Sequence, residues 1–244
     1  MIFNLGPSGL SPYPNFTFTD GTTTYTFDST TTTSSVSGVY YFYRDGTNWE
    51  FYMLKNGTLT INGGKKVDIF SCGNGNSGSG RSGGSGGTRK THSGIILSGP
   101  NAVVIAAAST LGVYASNATG YSQSGARADG GYSFDDSSAK GPDGNSRRVG
   151  AGGGTGAYSY TDGTSQGSGT VAATNGGNYG GGNGGDAHID GAYWYANNGS
   201  NGSFYGAGGG GAGYYEHTGP YVDRSGSGTP GSGYQGFLAI RNAR

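Results

Sequence analysis

The chain has 244 residues, and its 14 basic and 14 acidic residues balance to a formal charge of zero. Charged residues make up only 11% of the sequence and form neither a basic patch nor an acidic tail, so nothing in it indicates nucleic-acid binding. Hydrophobic residues make up 32%, which predicts a small, local core, and no apolar run approaches the ~20 residues of a membrane span. The single cysteine, Cys72, excludes an intramolecular disulfide framework, and we expect it to be buried at a strand end.

Residues 1–37 form the first predicted unit, which is rich in threonine. Short aromatic alternations, FTF at 16–18 and TTYTF at 23–27, indicate two edge-type strands, and the prolines are confined to the loop before them. We expect this unit to attach the chain to a partner or to trim a neighbouring sheet.

Residues 38–72 carry the clearest pattern of ordinary strands and predict an antiparallel meander. The turn signals are Asp45-Gly46 and Asn56-Gly57, and Asn-Gly is the stronger of the two because both turn residues of that hairpin need a positive φ. We therefore predict a hairpin at Asn56-Gly57. In the strand that starts at Trp49, large apolar residues at every second position alternate with a more polar set. This alternation predicts that one face of the strand is buried. The predicted strands are VYYFY, WEFYMLK, TLTI and KVDIF.

The composition changes at Gly73, since only eight of the 55 glycines precede it. Ordering a glycine costs more backbone entropy than ordering any other residue, and flexible glycine linkers are usually poor in aromatics, whereas this region is not. We predict that residues 73–244 form a packed bundle of extended, polyglycine-II-like strands whose backbone groups pair between strands. A tightly pleated glycine sheet is the alternative. The glycines expected to be structural are Gly152, Gly153, Gly154, Gly180, Gly181, Gly182, Gly208, Gly209, Gly210 and Gly211.

Other segments of this domain predict further strands and loops. SGIILSG and NAVVIAAAS predict two strands, and the apolar run from Val103 to Ala108 is typical of a strand buried on both faces. Residues 110–149 are polar and irregular, which predicts surface loops. The final YQGFLAIRN predicts a terminal strand that pairs back onto the meander. With two glutamates and few helix formers in sequence, we predict an all-β or irregular fold with almost no helix.

Two motifs are weak candidates for chemistry. Gly73, Gly75 and Gly78 form a GxGxxG after a strand, but the glycine- and serine-rich sequence that follows cannot supply the helix that a nucleotide site needs. We find no paired carboxylates, Ser/His/Asp set or Cys–His pair, so we predict no enzyme activity, no catalytic residue and no cofactor. A spacing of two would put three possible metal ligands on one strand face, but no further ligand accompanies them, so we assign no metal site: Asp186, His188 and Asp190.

Aromatic residues flank the glycine runs and are the best candidates for binding. Tyrosine and tryptophan stack on sugar rings and give rigid contact area at low entropic cost. They have two possible roles, because they would also cover a glycine core that has no side chains of its own. The candidates for receptor binding lie at expected loop tips or strand ends: Tyr193, Trp194, Tyr195, Tyr214, Tyr215 and Tyr221.

Three stretches together resemble one protein family: WEFYMLKNGTLTINGGKKVDIFSCGNG, FYGAGGGGAG and the terminal YQGFLAIRN. In this order, over roughly residues 48–243, they are similar to the glycine-rich domain proteins of tailed bacteriophages and prophages. Polyglycine-II-type adhesins at the tips of phage long tail fibres are a related architecture. The resemblance implies a virion structural protein, a tail-fibre or tail-tip adhesin that presents loops to a host surface receptor, a glycan. The chain departs from the family in its diluted first glycine segment and in residues 1–37, which map to no part of it.

The resemblance also implies partners and a location. The partners are other virion proteins and the host receptor, the oligomeric state is a homo-oligomer with a trimer in keeping with fibres, and the location is the virion. Such a protein is made in the host cytoplasm without a signal peptide, and MIFNLGPSGLSPYP lacks the basic and apolar regions of one. A head-decoration or head-fibre protein is the alternative. A polysaccharide-degrading tail enzyme is a more remote one, and it would need two opposed carboxylates about 5–10 Å apart.

Overall fold

A computed structural model describes residues 11–115, 129–161, 168–190, 193–219 and 224–243. Within these residues the protein is all-β, and its single helical element is a three-residue 3-10 turn at Ser133–Asp135, which confirms the predicted fold class. The strands are β1 (Phe16–Thr19), β2 (Thr24–Phe27), β3 (Ser34–Val36), β4 (Tyr40–Asp45), β5 (Asn48–Met53), β6 (Gly57–Cys72), β7 (Arg89–Val104), β8 (Thr110–Leu111), β9 (Tyr114–Ala115), β10 (Tyr158–Thr161), β11 (Ser168–Val171), β12 (Ala187–Asp190), β13 (Tyr193–Ala196), β14 (Tyr214–His217), β15 (Arg224–Ser227) and β16 (Phe237–Asn242).

In the described part of the chain, ten strands form one antiparallel sheet, in the order β3-β4-β5-β16-β6-β7-β8-β9. The N-terminal strands join it through β1, which pairs with β2 on one side and with the first half of β6 on the other. The C-terminal strand β16 lies between β5 and the second half of β6. The terminal strand therefore pairs back onto the meander, as the sequence predicts.

The predicted hairpin at Asn56-Gly57 is wrong. Strand β5 pairs with β4 and β16 and not with β6, and neither turn residue has a positive φ. Gly57 is needed for space instead, because a Cβ there would lie 2.2 Å from the backbone oxygen of Thr19 on β1. Strands β1 and β16, which come from opposite ends of the chain, occupy the edge of β6 that a local hairpin would have used. By contrast, the turn at Gly46, with a φ of 60°, does join the paired strands β4 and β5.

Two other strand predictions need correction. The two runs at 93–99 and 101–109 belong to one strand, β7, which ends at Val104. The apolar run that starts at Val103 is not a strand buried on both faces, since Val104 is exposed and the strand stops before Ile105. Its neighbour β6 is likewise continuous, with a register shift after Ile61 that interrupts the ladder.

Hydrophobic clusters cover both faces of the sheet, where the sequence predicts one buried face. The first cluster contains Phe51 and Trp49 and is rich in phenylalanine from β1, β2 and β4. The second contains Tyr52 of the same strand, together with Phe70 and Phe237. Strand β5 thus contributes alternate side chains to two cores.

The prediction that residues 110–149 are surface loops needs correction, because residues 110–115 contain β8 and β9 and residues 129–149 pack on the second cluster through Phe134, Ala139 and Val149. Phe134 is buried in this cluster, in a left-handed conformation with a φ of 56°. The buried guanidinium of Arg241 ties the segment to the sheet, because its Nε donates to Asp68 at 3.1 Å and its Nη1 donates to Asp136 at 2.7 Å. The buried part of the segment thus packs on the core, while 145–147 remain exposed.

The glycine-rich segments form a bundle of extended strands that hydrogen-bond to one another at every third residue. The central strand is 206–213. Its Gly208 and Gly211 donate to Ala151 and Gly154, three residues apart on the same neighbour. This is the repeat of an extended helix with about three residues per turn and no internal hydrogen bonds. Six segments surround the central strand through such bonds: 76–80, 84–87, 150–157, 182–185, 197–200 and 228–234.

The close approach of backbones explains why these strands consist of glycine. A Cβ added at any of residues 208–211 would lie 1.9–2.1 Å from a carbonyl oxygen of a neighbouring strand. Most of the other glycines expected to be structural meet the same obstacle, at 1.9–2.0 Å: Gly153, Gly154, Gly181 and Gly182. Gly180 differs, since it lies in a turn with a φ of 95°. Gly152 takes part in the bundle through its carbonyl oxygen, which accepts a hydrogen bond from the Gly177 N–H. The central strand tolerates a Cβ at Ala207 and Ala212, both of which are buried.

Candidate functional site: the hairpin end of the glycine bundle

Strands β10 to β15 all leave the same end of the glycine bundle, which we name the hairpin end. The central strand 206–213 continues directly into β14, and the parallel segments 150–157 and 181–186 continue into β10 and β12. The antiparallel segments 197–203 and 228–236 begin directly after β13 and β15. The pairs β10–β11, β12–β13 and β14–β15 therefore lie together, while the opposite end of the bundle joins β6 and β16 of the large sheet.

The hairpin end has two layers. One is a four-stranded sheet in the order β11-β10-β14-β15, and the other is the two-stranded β12–β13. In the parallel pair β10–β14, Tyr158 lies opposite Tyr214 and Tyr160 lies opposite Glu216. Because side chains alternate along a strand, these four side chains share one face of the sheet, which we name the outer face.

The opposite, inner face packs against β12–β13. The ring of Trp194 lies 4.5 Å from that of His217 and 6.1 Å from that of Tyr215, measured between centroids. The Arg224 guanidinium lies 5.2 Å from the centroid of the Trp194 ring. Ser159 donates from its Oγ to the backbone oxygen of Ala187 on β12 at 2.9 Å. These contacts hold the two layers together.

The outer face carries three nearly parallel tyrosine rings. The Tyr158 ring lies 5.5 Å from that of Tyr160, at 20°, and 5.7 Å from that of Tyr214, at 16°. The Tyr158 hydroxyl donates to the Glu216 Oε2 at 3.3 Å, and the Arg81 guanidinium lies 4.8 Å from its ring centroid. Partial burial and, after it, the Glu216 carboxylate raise the pKa of Tyr158, so this hydroxyl stays protonated as a donor at neutral pH.

The sequence candidates divide between these surfaces. Trp194 and Tyr215 lie on the inner side, and Tyr214 lies on the outer face. Tyr195 is 46% exposed and stacks on His188, with centroids 5.5 Å apart. The backbone of Tyr193 pairs with Asp190 in β12–β13, and Tyr221 lies outside the described residues.

Sequence reasoning missed three residues of the outer face as site candidates: Tyr158, Tyr160 and Glu216. One signal was available, since tyrosines at positions i and i+2 directly after a glycine run would share a strand face. The sequence could not predict which residues lie beside Glu216, because they depend on the parallel pairing of β10 with β14.

Neither of the weaker sequence motifs forms a binding site in the described residues. The N–H groups of Gly73, Gly75 and Gly78 donate to backbone oxygens of Thr88, Tyr234 and Gly231, so they serve the bundle rather than a phosphate. In the described ranges, no group of three or more histidine, cysteine or acidic side chains is arranged to hold a metal ion. The same ranges contain no helix that is long and apolar enough to span a membrane.

No protein-family model, curated protein or solved structure matches the chain.

Proposed function

We propose that the chain is a virion surface protein of a tailed bacteriophage, a tail-fibre or tail-tip adhesin whose hairpin end contacts a glycan receptor on the host cell. The observation that carries the proposal is the convergence of three strand pairs at one end of the bundle. Binding residues concentrate on loops that a rigid scaffold positions. The central glycine strand, hydrogen-bonded to six neighbours, is such a scaffold.

The ten-stranded sheet at the other end is the proposed attachment side, which faces the rest of the virion. It contains both the N-terminal strands β1 and β2 and the C-terminal strand β16, so both ends of the described chain lie away from the hairpin end. Val113, in the turn between β8 and β9, is 90% exposed on this sheet, which contains none of the strands of the hairpin end. Several copies per particle, as a homo-oligomer, turn weak receptor contacts into stable adsorption.

Competition for adsorption tests the proposal. Purified full-length chain is added to susceptible bacteria before the phage, and free phage is then counted. We expect the wild-type chain to block adsorption, and Tyr195→Ala, which removes an exposed ring of the hairpin end, to block it less. Val113→Ser is the matched control, since it changes the opposite part of the molecule. A wild-type chain that neither binds the cells nor slows adsorption contradicts the adhesin role and favours head decoration.

A further inference from the structure

We propose that the outer face of the hairpin end is the glycan-contact site, and that it takes an uncharged hexopyranose unit. The inference rests on the proposed adhesin function and deepens it by assigning the site and the class of sugar. Its members are Tyr158, Tyr160, Tyr214 and Glu216. Three of these four lie outside the set of aromatic residues that the sequence singles out.

The tyrosine rings supply the apolar half of such a site. Tyr160, at one end of the row, is 42% exposed and offers most of the accessible ring surface. The Tyr158 ring is stacked with both neighbours, so Tyr158 and Tyr214 are only partly exposed. A pyranose ring has an apolar C–H face that packs on such an aromatic surface, and tyrosine loses little conformational entropy on doing so.

Glu216 and the tyrosine hydroxyls supply the polar half. The exposed Glu216 carboxylate is already aligned by the Tyr158 hydroxyl, and its free acceptor positions suit the hydroxyl groups of a sugar. Glu216 also lines a shallow depression of about 190 Å³ with His217, Thr218, Arg224 and Ser225, so a polar recess begins where the tyrosine face ends.

The local charges favour an uncharged sugar. Arg81 and Glu216 both contact Tyr158 and their charges offset one another, so the tyrosine face has no net charge with which to hold an acidic sugar. The nearby Arg224 guanidinium lies over the Trp194 ring on the inner side. Glu216 would also repel a nearby carboxylate. We therefore expect a neutral hexose to bind more tightly than its uronic acid.

The exposed ring area fits a sugar better than a second copy of the chain. A tyrosine offers about 150–250 Å² of surface, so the exposed parts of the three rings total less than about 300 Å². A stable protein interface needs about 800 Å² on each partner. The face is too small for such an interface, and it is on the scale of one or two sugar rings.

Local packing holds the platform in place before any ligand binds. The Tyr160 ring covers Gly169 on β11, where a Cβ would lie 2.8 Å from its Cε1. On the inner face Tyr215 covers Gly226 in the same way, with a Cβ to Cε1 distance of 2.6 Å. A glycine opposite Tyr160 and another opposite Tyr215 thus set the tilt of these two rings, and Gly169 is a positioning residue for the proposed site.

Saturation-transfer NMR on the full chain tests the assignment. The probes are methyl β-D-glucopyranoside, methyl β-D-galactopyranoside and methyl β-D-glucuronopyranoside. We expect at least one neutral glycoside to bind, Tyr160→Ser to weaken it by about tenfold, and Tyr160→Phe to retain most of the affinity. Gly169→Ala should weaken binding by a few fold without loss of the ring, because it tilts Tyr160. Val113→Ser, in the large sheet, should bind as the wild type does.

Cell binding, measured with the same variants, separates this inference from the adhesin proposal. If wild type and Tyr160→Ser bind susceptible bacteria equally, the outer face is not the contact site, although the adhesin proposal stands. If the wild type binds no cells, the adhesin proposal fails. Binding of the glucuronide as tightly as of the neutral glycosides overturns the preference for uncharged sugars. A change of oligomeric state in Tyr160→Ser, seen by light scattering, overturns the site assignment and makes the face a contact between copies.

Discussion

Gly210→Ala tests whether the glycines of the central strand are required by close backbone packing. A Cβ at this position would lie 1.9 Å from the carbonyl oxygen of Asn183 and 2.4 Å from its carbonyl carbon. Both atoms are backbone, so no side-chain rotation relieves the clash. Carbon atoms pack at about 3.5–4.0 Å, so the neighbouring strand must move by more than about 1 Å.

The expected cost follows from the hydrogen bonds that such a movement breaks. Segment 182–185 takes part in six backbone hydrogen bonds, and its movement away from the central strand and from 197–200 breaks three of them. These run from Gly182 N–H to the Gly208 oxygen, from Gly185 N–H to the Gly211 oxygen, and from Ser200 N–H to the Asn183 oxygen. At about 1–3 kcal/mol for each buried group left unpaired, the loss is about 3–9 kcal/mol. The free energy of unfolding of a whole protein is about 5–15 kcal/mol, so we expect a severely destabilised bundle.

Urea unfolding, followed by near-ultraviolet circular dichroism, measures this loss. Gly80→Ala is the matched control, because nothing lies within 4 Å of the added Cβ there. Its φ of 51° adds only the strain of a left-handed residue, about 1–2 kcal/mol. If Gly210→Ala lowers the free energy of unfolding by no more than Gly80→Ala does, close backbone packing does not require a glycine at position 210.

Three further predictions concern the large sheet. Hydrogen bonds from Ser138, followed by the Arg241 contact, lower the pKa of Asp136 to about 2, so the stability that this carboxylate adds is present above pH ~4 and is lost as pH falls towards 2. Urea titrations at pH 5 and pH 2 should show a smaller acid loss in Asp136→Asn, and an equal loss in both proteins would contradict this. Arg241→Met leaves Asp68 buried without its cation and should lower the free energy of unfolding by about 3–5 kcal/mol. The double variant with Asp68→Asn should recover part of this loss. Equal stability of the single and double variants would argue against the ion pair. Cys72 is fully buried and its burial raises its pKa to about 12, so Ellman's reagent should modify it only on unfolding; rapid labelling of the native protein would disagree.

The glycine bundle could be predicted from the sequence because the prediction depends only on local composition. A glycine run interleaved with aromatics requires backbone-to-backbone packing wherever its neighbours come from. The sheet was harder, since Asn56-Gly57 carries a strong local hairpin signal and yet β1 and β16 take the edge of β6. Pairing with β16 joins residues more than 160 positions apart, and no turn signal reports such a contact.

The candidate site was only partly predictable for a related reason. Aromatics beside glycine runs marked Tyr214 and its neighbours, but the outer face depends on which glycine strands are adjacent. The three-residue repeat that takes Gly208 to Ala151 and Gly211 to Gly154 ends with Tyr214 N–H on the Ala157 oxygen. That register brings Tyr158 beside Tyr214, and nothing in either segment alone determines it.

The most direct test of the central claim is immunogold electron microscopy of intact phage particles, with antibodies raised separately against the β12–β13 segment and against residues 11–37. We expect both antibodies to label the tail fibre or tail tip, and the β12–β13 antibody to lie farther from the particle and to block adsorption. Gold over the capsid, or no label on any particle, would contradict the adhesin account.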